Sequence, residues 1–185
     1  MDTAELLASG AVLLAAYVLR AVTGFGSALV AVPLLAFWLP LTLVVPWIVA
    51  FDVLEALILT TTSLMRAKDR VLWWEILRLL LPASLGSFLG IKLLIQVPQE
   101  AALCGLGLLV ILFGGRILLH LQAQRRISAW WAFPAGWLGG AIGALFAIGG
   151  PPFVIYLSHR TQDKGALRAT LSVLFLLEGA ARMIC

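Results

Sequence analysis

Ile148-Gly149-Gly150-Pro151-Pro152 interrupts an apolar run that extends from residue 127 to residue 158. Glycine tolerates the backbone angles that end one helix, and proline suits the first turn of the next. A second run, residues 6–39, carries Thr23-Gly24-Phe25-Gly26-Ser27 near its middle. As straight helices the two runs would reach roughly 48–51 Å, too long for one crossing of a core about 30 Å thick. We read each as a broken segment, a helix in and a helix out. A single long tilted helix, with glycines for close packing, is the alternative.

The rest of the chain requires a membrane. Of its 185 residues 62% are hydrophobic and 12% charged, with seven Trp and nine Phe, and the mean hydropathy is +1.05. A soluble domain of this size cannot hide that much apolar surface. A cytosolic enzyme, a nucleic-acid binder and a disordered tail are excluded. The net charge of +4 reflects basic residues that flank spans on the cytoplasmic side. Cys104 and Cys185 both lie in apolar context, which indicates neither a disulfide framework nor a metal site. The acidic start, Met1 to Glu5, lacks the positive region of a signal peptide.

Further apolar runs lie at 41–65, 71–97, 101–121 and 166–185, separated by short charged breaks. The break at 66–70 holds three Lys or Arg and that at 124–126 holds two, whereas 97–100 holds none. With both glycine-broken segments returning to their own side, every basic break falls in the cytoplasm. Shifting the sequence by 123 residues places Gly26 on Gly149, Ser27 on Gly150 and Glu55 on Glu178. The order of features, a glycine-broken hairpin and then a span with an acidic residue, also repeats. The expected fold is an all-α polytopic bundle of two inverted repeats, the first over 1–123 and the second over 124–185. The second copy lacks partners for the spans at 71–97 and 101–121, so the native product is expected to continue for roughly 58 residues.

A helix that restarts inside the membrane presents unpaired N–H groups and about half a positive charge, a ready site for anions. Gly24, Gly26 and Ser27 in the first break, with Gly149, Gly150 and Pro151 in the second, are the candidate substrate-binding residues. Arg20 lies seven residues before Ser27 in an apolar stretch. Its charge is costly in lipid, so it pairs with an anion or with Asp52 or Glu55. Asp52 and Glu55 share a helix face. With Glu178 they are candidates for ion coupling or for structural pairing. Lys92 and Arg116 lie near span ends and snorkel. Trp73, Trp74, Trp130 and Trp131 read as interfacial anchors. No His-Glu-x-x-His or Gly-x-Ser-x-Gly motif is present, and His120 and His159 sit at span ends. No enzymatic activity and no cofactor are expected.

Thr23-Gly24-Phe25-Gly26-Ser27 followed by Val32-Pro33-Leu34-Leu35 resembles the opening motif of the sulfite exporter TauE/SafE family. Asp69 to Trp73, the Gly86 and Gly90 span, Gly139 to Gly143, Ala147 to Pro152 and Leu167 to Leu171 are similar to it as well. Ser27 stands where the family usually has a further glycine. The resemblance implies a multi-pass permease of a bacterial inner membrane that moves small sulfur-containing anions, such as sulfite or organosulfonates, out of the cell or across its membrane. Its expected partners are the small anion and the lipid bilayer, with a homo-oligomer left open and no nucleic acid. A membrane scaffold or assembly factor, its glycines serving packing alone, is the alternative.

The distribution of Lys and Arg predicts an extracytoplasmic N-terminus, with loops 66–70 and 121–130 in the cytoplasm. Cysteine-accessibility labelling should find residue 3 and loop 66–70 on opposite sides. Labelling of both from one side would sink the broken-hairpin arrangement.

Overall fold

The computed structural model describes residues 3–23, 27–66, 71–118 and 127–184. Gly24 and Gly26 lie outside these residues, as does the side chain of Arg20. Among the described residues all regular secondary structure is helical. In order come α1 (Thr3–Thr23), α2 (Ser27–Leu35), α3 (Leu41–Arg66), α4 (Trp73–Gln96), α5 (Gln99–Leu118), α6 (Ala132–Phe146), α7 (Gly150–Arg160) and α8 (Lys164–Ile184), with a single 3-10 turn at Ala129–Trp131 before α6. Leu41–Thr61, Trp73–Gln96 and Gln99–Arg116 are each long and apolar enough to cross a membrane. By contrast α2 and α7, with nine and eleven residues, rise only about 14 and 17 Å, roughly half of a bilayer core.

Both glycine-broken runs turn back on themselves. After Phe146, Ala147 takes a left-handed conformation (φ 58°) and its N–H donates to the Gly143 carbonyl at 2.8 Å. This closes α6 with a left-handed cap. The break therefore opens at Ala147, one residue before the Ile148-Gly149-Gly150 stretch that marks it in the sequence. Gly149 then lies against α6, where a Cβ would stand 2.7 Å from the Gly139 carbonyl oxygen. Only glycine lets the two backbones approach so closely. At the far end of α7, Arg160 Nη1 donates to the Ile127 carbonyl at 3.2 Å, so the hairpin starts and finishes at one end of the bundle. The first hairpin behaves alike, with Trp38 Nε1 donating to Ser9 Oγ at 3.0 Å.

Helices α4 and α6 form the closest pair. A Cβ on Gly136 would meet the Leu79 carbonyl oxygen at 2.7 Å, and one on Gly140 would collide with the Ala83 carbonyl oxygen. In return, a Cβ on Gly86 would stand 2.9 Å from the Ala141 nitrogen, and one on Gly90 2.8 Å from Ala144 Cβ. Each helix thus offers glycines four residues apart to the backbone of the other. The contacts advance together along both helices, so α4 and α6 run parallel. The starts of α4 and α6, the end of α7 and the start of α8 gather at one end of the bundle.

Two apolar clusters flank this pair. One joins α1, α2, α3 and α5 around Val32, Leu41, Ile48 and Phe146. The other joins the first turns of α4 to α7 and α8 around Ile76, Leu79, Phe153 and Leu174. Leu81, Phe88, Ile95 and Ile111 point outward, as a lipid-facing surface requires. Trp74, Trp130 and Trp131 are also exposed, in keeping with interfacial anchoring.

Gly140→Leu forces a side chain into the Ala83 backbone and should destabilise the protein by about 3 kcal/mol, a fall of roughly 6–12 °C in midpoint. Gly107, with open space where its Cβ would be, is the control. Thermal unfolding in detergent should separate the two leucine variants, with Gly107→Leu matching the parent.

Candidate functional site

A cavity of about 60 Å³ lies where four helices meet inside the bundle. Its walls come from the first residues of α2 (Ser27, Ala28), the middle of α3 (Asp52), the first residues of α7 with its preceding turn (Gly149, Gly150, Pro151), and α8 (Glu178, Arg182). A single water needs roughly 10–15 Å³ on this scale, so the space suits a few waters or one small oxyanion.

The two breaks thus converge. Ser27 and Gly150, 123 residues apart in the chain, each open a short helix against the same space. The Ser27 hydroxyl, almost fully buried, donates to Asp52 Oδ1 at 3.4 Å, and the Tyr17 hydroxyl donates to the same oxygen at 2.8 Å. On the α7 side Pro151 and Pro152 occupy the first turn and carry no N–H. The donors left there belong to Gly149 and Gly150, fewer than an ordinary helix start presents. The Gly150 position is open, since its Cβ would make ordinary contact with Phe175 at 3.6 Å.

Arg182 completes the site, and the sequence reading missed it. It pairs with Glu178 one turn earlier on α8, and both side chains are more than nine-tenths buried. Ser87 of α4 holds the pair from outside. Its Oγ donates to Glu178 Oε1 at 3.2 Å, and Arg182 Nε donates to Ser87 Oγ at 3.4 Å. The guanidinium fills space left by two glycines. A Cβ on Gly143 would collide with it, and one on Gly149 would lie 3.2 Å from its Nη2. A Glu and an Arg four residues apart inside the apolar run 166–185 were the available signal.

Of the other candidates, Glu178 faces the cavity paired with Arg182, whereas Glu55 is not among the residues that line it. Asp52 and not Glu55 is the α3 carboxylate at the site. Glu178 and its sequence counterpart Glu55 therefore differ in position. Gly24, Gly26 and the side chain of Arg20 fall outside what the structure describes. No group of three or more His, Cys, Asp or Glu among the described residues is placed to hold a metal ion.

A second polar cluster lies at the end where α4 and α6 begin. Glu75 in the first turn of α4 accepts two bonds from Arg160, Nε at 2.9 Å and Nη2 at 2.7 Å. Its other oxygen accepts from the Tyr156 hydroxyl at 2.6 Å, and Arg78 Nη1 stands 3.6 Å away. Nearby, the fully buried Thr170 accepts the Leu72 N–H at 3.1 Å just before α4. These bonds tie α7 and α8 to the start of α4, and they lie away from the cavity.

A multi-pass helical membrane protein with a small cavity, lined by Asp52, Glu178 and Arg182 among apolar residues, between two half-length helices has the form of a transporter. The Sulfite exporter TauE/SafE family profile matches residues 9–185, and the chain belongs to that family, whose members are membrane transporters of sulfur compounds. No curated protein and no solved structure matches it.

Removing Arg160 leaves the Glu75 carboxylate, buried among α4, α7 and α8, with the Tyr156 hydroxyl and, as a cation, only the more distant Arg78. Arg160→Ala should cost about 3 kcal/mol, the lower end of the range for breaking a buried pair. Chemical unfolding in detergent, compared with the exposed-site control Lys164→Ala, measures it.

Proposed function

We propose that the protein exports small sulfur-containing oxyanions, sulfite or organosulfonates, from the cytoplasm across a bacterial inner membrane. The observation that carries this reading is the meeting of the α2 and α7 N-termini at one cavity beside a buried arginine. Each such end contributes about half a positive charge, and with Arg182 the cationic side of the cavity amounts to roughly two charges. Asp52 and Glu178 offset that charge while the cavity holds no anion. Pairing positive helix ends with a buried cation in one small space is favourable only where negative charge completes it.

An architecture of two inverted repeats, 1–123 and 124–185, belongs to the same reading. In its support, α1 ends 123 residues before α6 ends, α2 starts 123 before α7, and α3 starts 123 before α8. Helices α1 and α6 also begin at opposite ends of the bundle. Inversion of this kind gives a central site access to each side in turn. The end that gathers the starts of α4, α6 and α8 would be cytoplasmic, since the basic breaks lie there.

An inside-negative potential contributes about 2.3 kcal/mol per charge per 100 mV, hence about 4.6 kcal/mol, or more than a thousandfold in gradient, to outward movement of a dianion. Export therefore needs no coupling ion at Glu55. Efflux of labelled sulfite from vesicles carrying the protein should exceed that from empty vesicles at least about tenfold. Glu55→Gln should match the parent, whereas Gly149→Leu, which fills the space between α6 and the cavity, should abolish efflux. Equal efflux from anion-loaded vesicles with and without the protein, for sulfite and for an organosulfonate such as isethionate, would overturn the reading.

A further inference from the structure

We propose that the transported anion binds directly to Arg182 by displacing the Glu178 carboxylate, and that Glu178 takes up a proton as it is displaced. The inference rests on the anion-export reading above and assigns the residue that holds the charge.

The geometry points to Arg182 for three reasons. It lines the cavity with Gly149, Gly150 and Ser27, so an oxyanion there reaches the guanidinium and both helix starts together. Glycines at 143 and 149 leave the guanidinium room against α6 and the start of α7, where any side chain would push it away. Its partner is a carboxylate, which presents two oxygens much as one face of a sulfite or sulfonate does. Glu178 thus occupies the place of the ligand, a resident anion that a mobile one can replace.

Replacement leaves Glu178 without its cation. Among the described residues the other groups around it cannot supply one. Ser87 on α4 offers a hydroxyl, α3 brings the further carboxylate Asp52 to the cavity, and α6 and the start of α7 present backbone and glycine. A carboxylate so enclosed, with Asp52 across the cavity, is held neutral by protonation. A proton from the aqueous phase adds to one Glu178 oxygen as the anion arrives, and leaves as Arg182 is returned to the carboxylate. No other bond forms or breaks. A dianion and its proton together carry one net negative charge, so the membrane potential still favours outward movement.

Titration calorimetry with sulfite, on the full chain in detergent and in two buffers of different ionisation heat, counts protons taken up per anion bound. Sulfite contributes the same count for every variant, so differences between proteins report Glu178. The wild type should take up about one proton more per sulfite than Glu178→Gln. Glu178→Gln should bind more tightly, and the gap should widen by up to about tenfold per pH unit as pH rises. Arg182→Gln should weaken binding by at least about tenfold, with Arg182→Lys recovering part of the loss. Equal proton counts in wild type and Glu178→Gln would overturn this inference and leave the transport reading standing. Wild-type affinity in a folded Arg182→Gln or Arg182→Lys protein, without the charge-dependent order, would do the same. A wild type that binds neither sulfite nor isethionate would overturn both.

Discussion

A helix that begins half-way across a bilayer exposes N–H groups that hydrocarbon cannot satisfy. Such an end persists only where protein or a water-filled cavity surrounds it. This chain contains two short helices of that kind, α2 and α7, and most of its other features serve to enclose their first turns. The long apolar helices form the wall, and the small cavity at Ser27 and Gly150 is what remains inside.

Glycine makes the enclosure tight enough. On α6, Gly139 receives the Phe153 ring of α7, Gly140 receives the Ala83 backbone of α4, and Gly143 receives the Arg182 guanidinium of α8. One helix thereby touches three neighbours at close range through a short stretch of sequence. Association in lipid lacks the hydrophobic drive available in water and depends on such packing. The same glycines that hold the bundle together therefore set where the buried cation sits. On the proposed reading, packing and binding are then not separable roles for these glycines.

The positions of the helix breaks were legible because they follow from local chemistry. Run length, Gly149-Gly150 and the prolines 151 and 152 suffice to end one helix and start another. The convergence of Ser27 with Gly150 was legible as well, through the 123-residue shift. What local patterns could not decide was which carboxylate faces inward. Asp52 and Glu55 stand three apart on α3, about 60° apart around the helix. Only the packing of α8, where Val53 approaches Gly179, turns Asp52 to the cavity. Arg182 was hidden for a similar reason. Its burial depends on Ser87 from α4 and on Gly143 from α6, contacts that span 95 and 39 positions of sequence. Beside the end of an apolar run it reads as an interfacial residue. The Glu75, Tyr156 and Arg160 cluster likewise joins distant segments, and its parts carry no signal alone.

The central claim, that a small oxyanion sits between the two helix starts and Arg182, is open to direct observation. Selenite is the selenium counterpart of sulfite, and selenium scatters X-rays anomalously. Crystals of the protein soaked with selenite should give an anomalous peak in the cavity, within hydrogen-bonding distance of Ser27, the Gly150 N–H and Arg182 Nη2, with Glu178 turned away. A peak at another place in the bundle, with Glu178 still bonded to Arg182, would contradict the account.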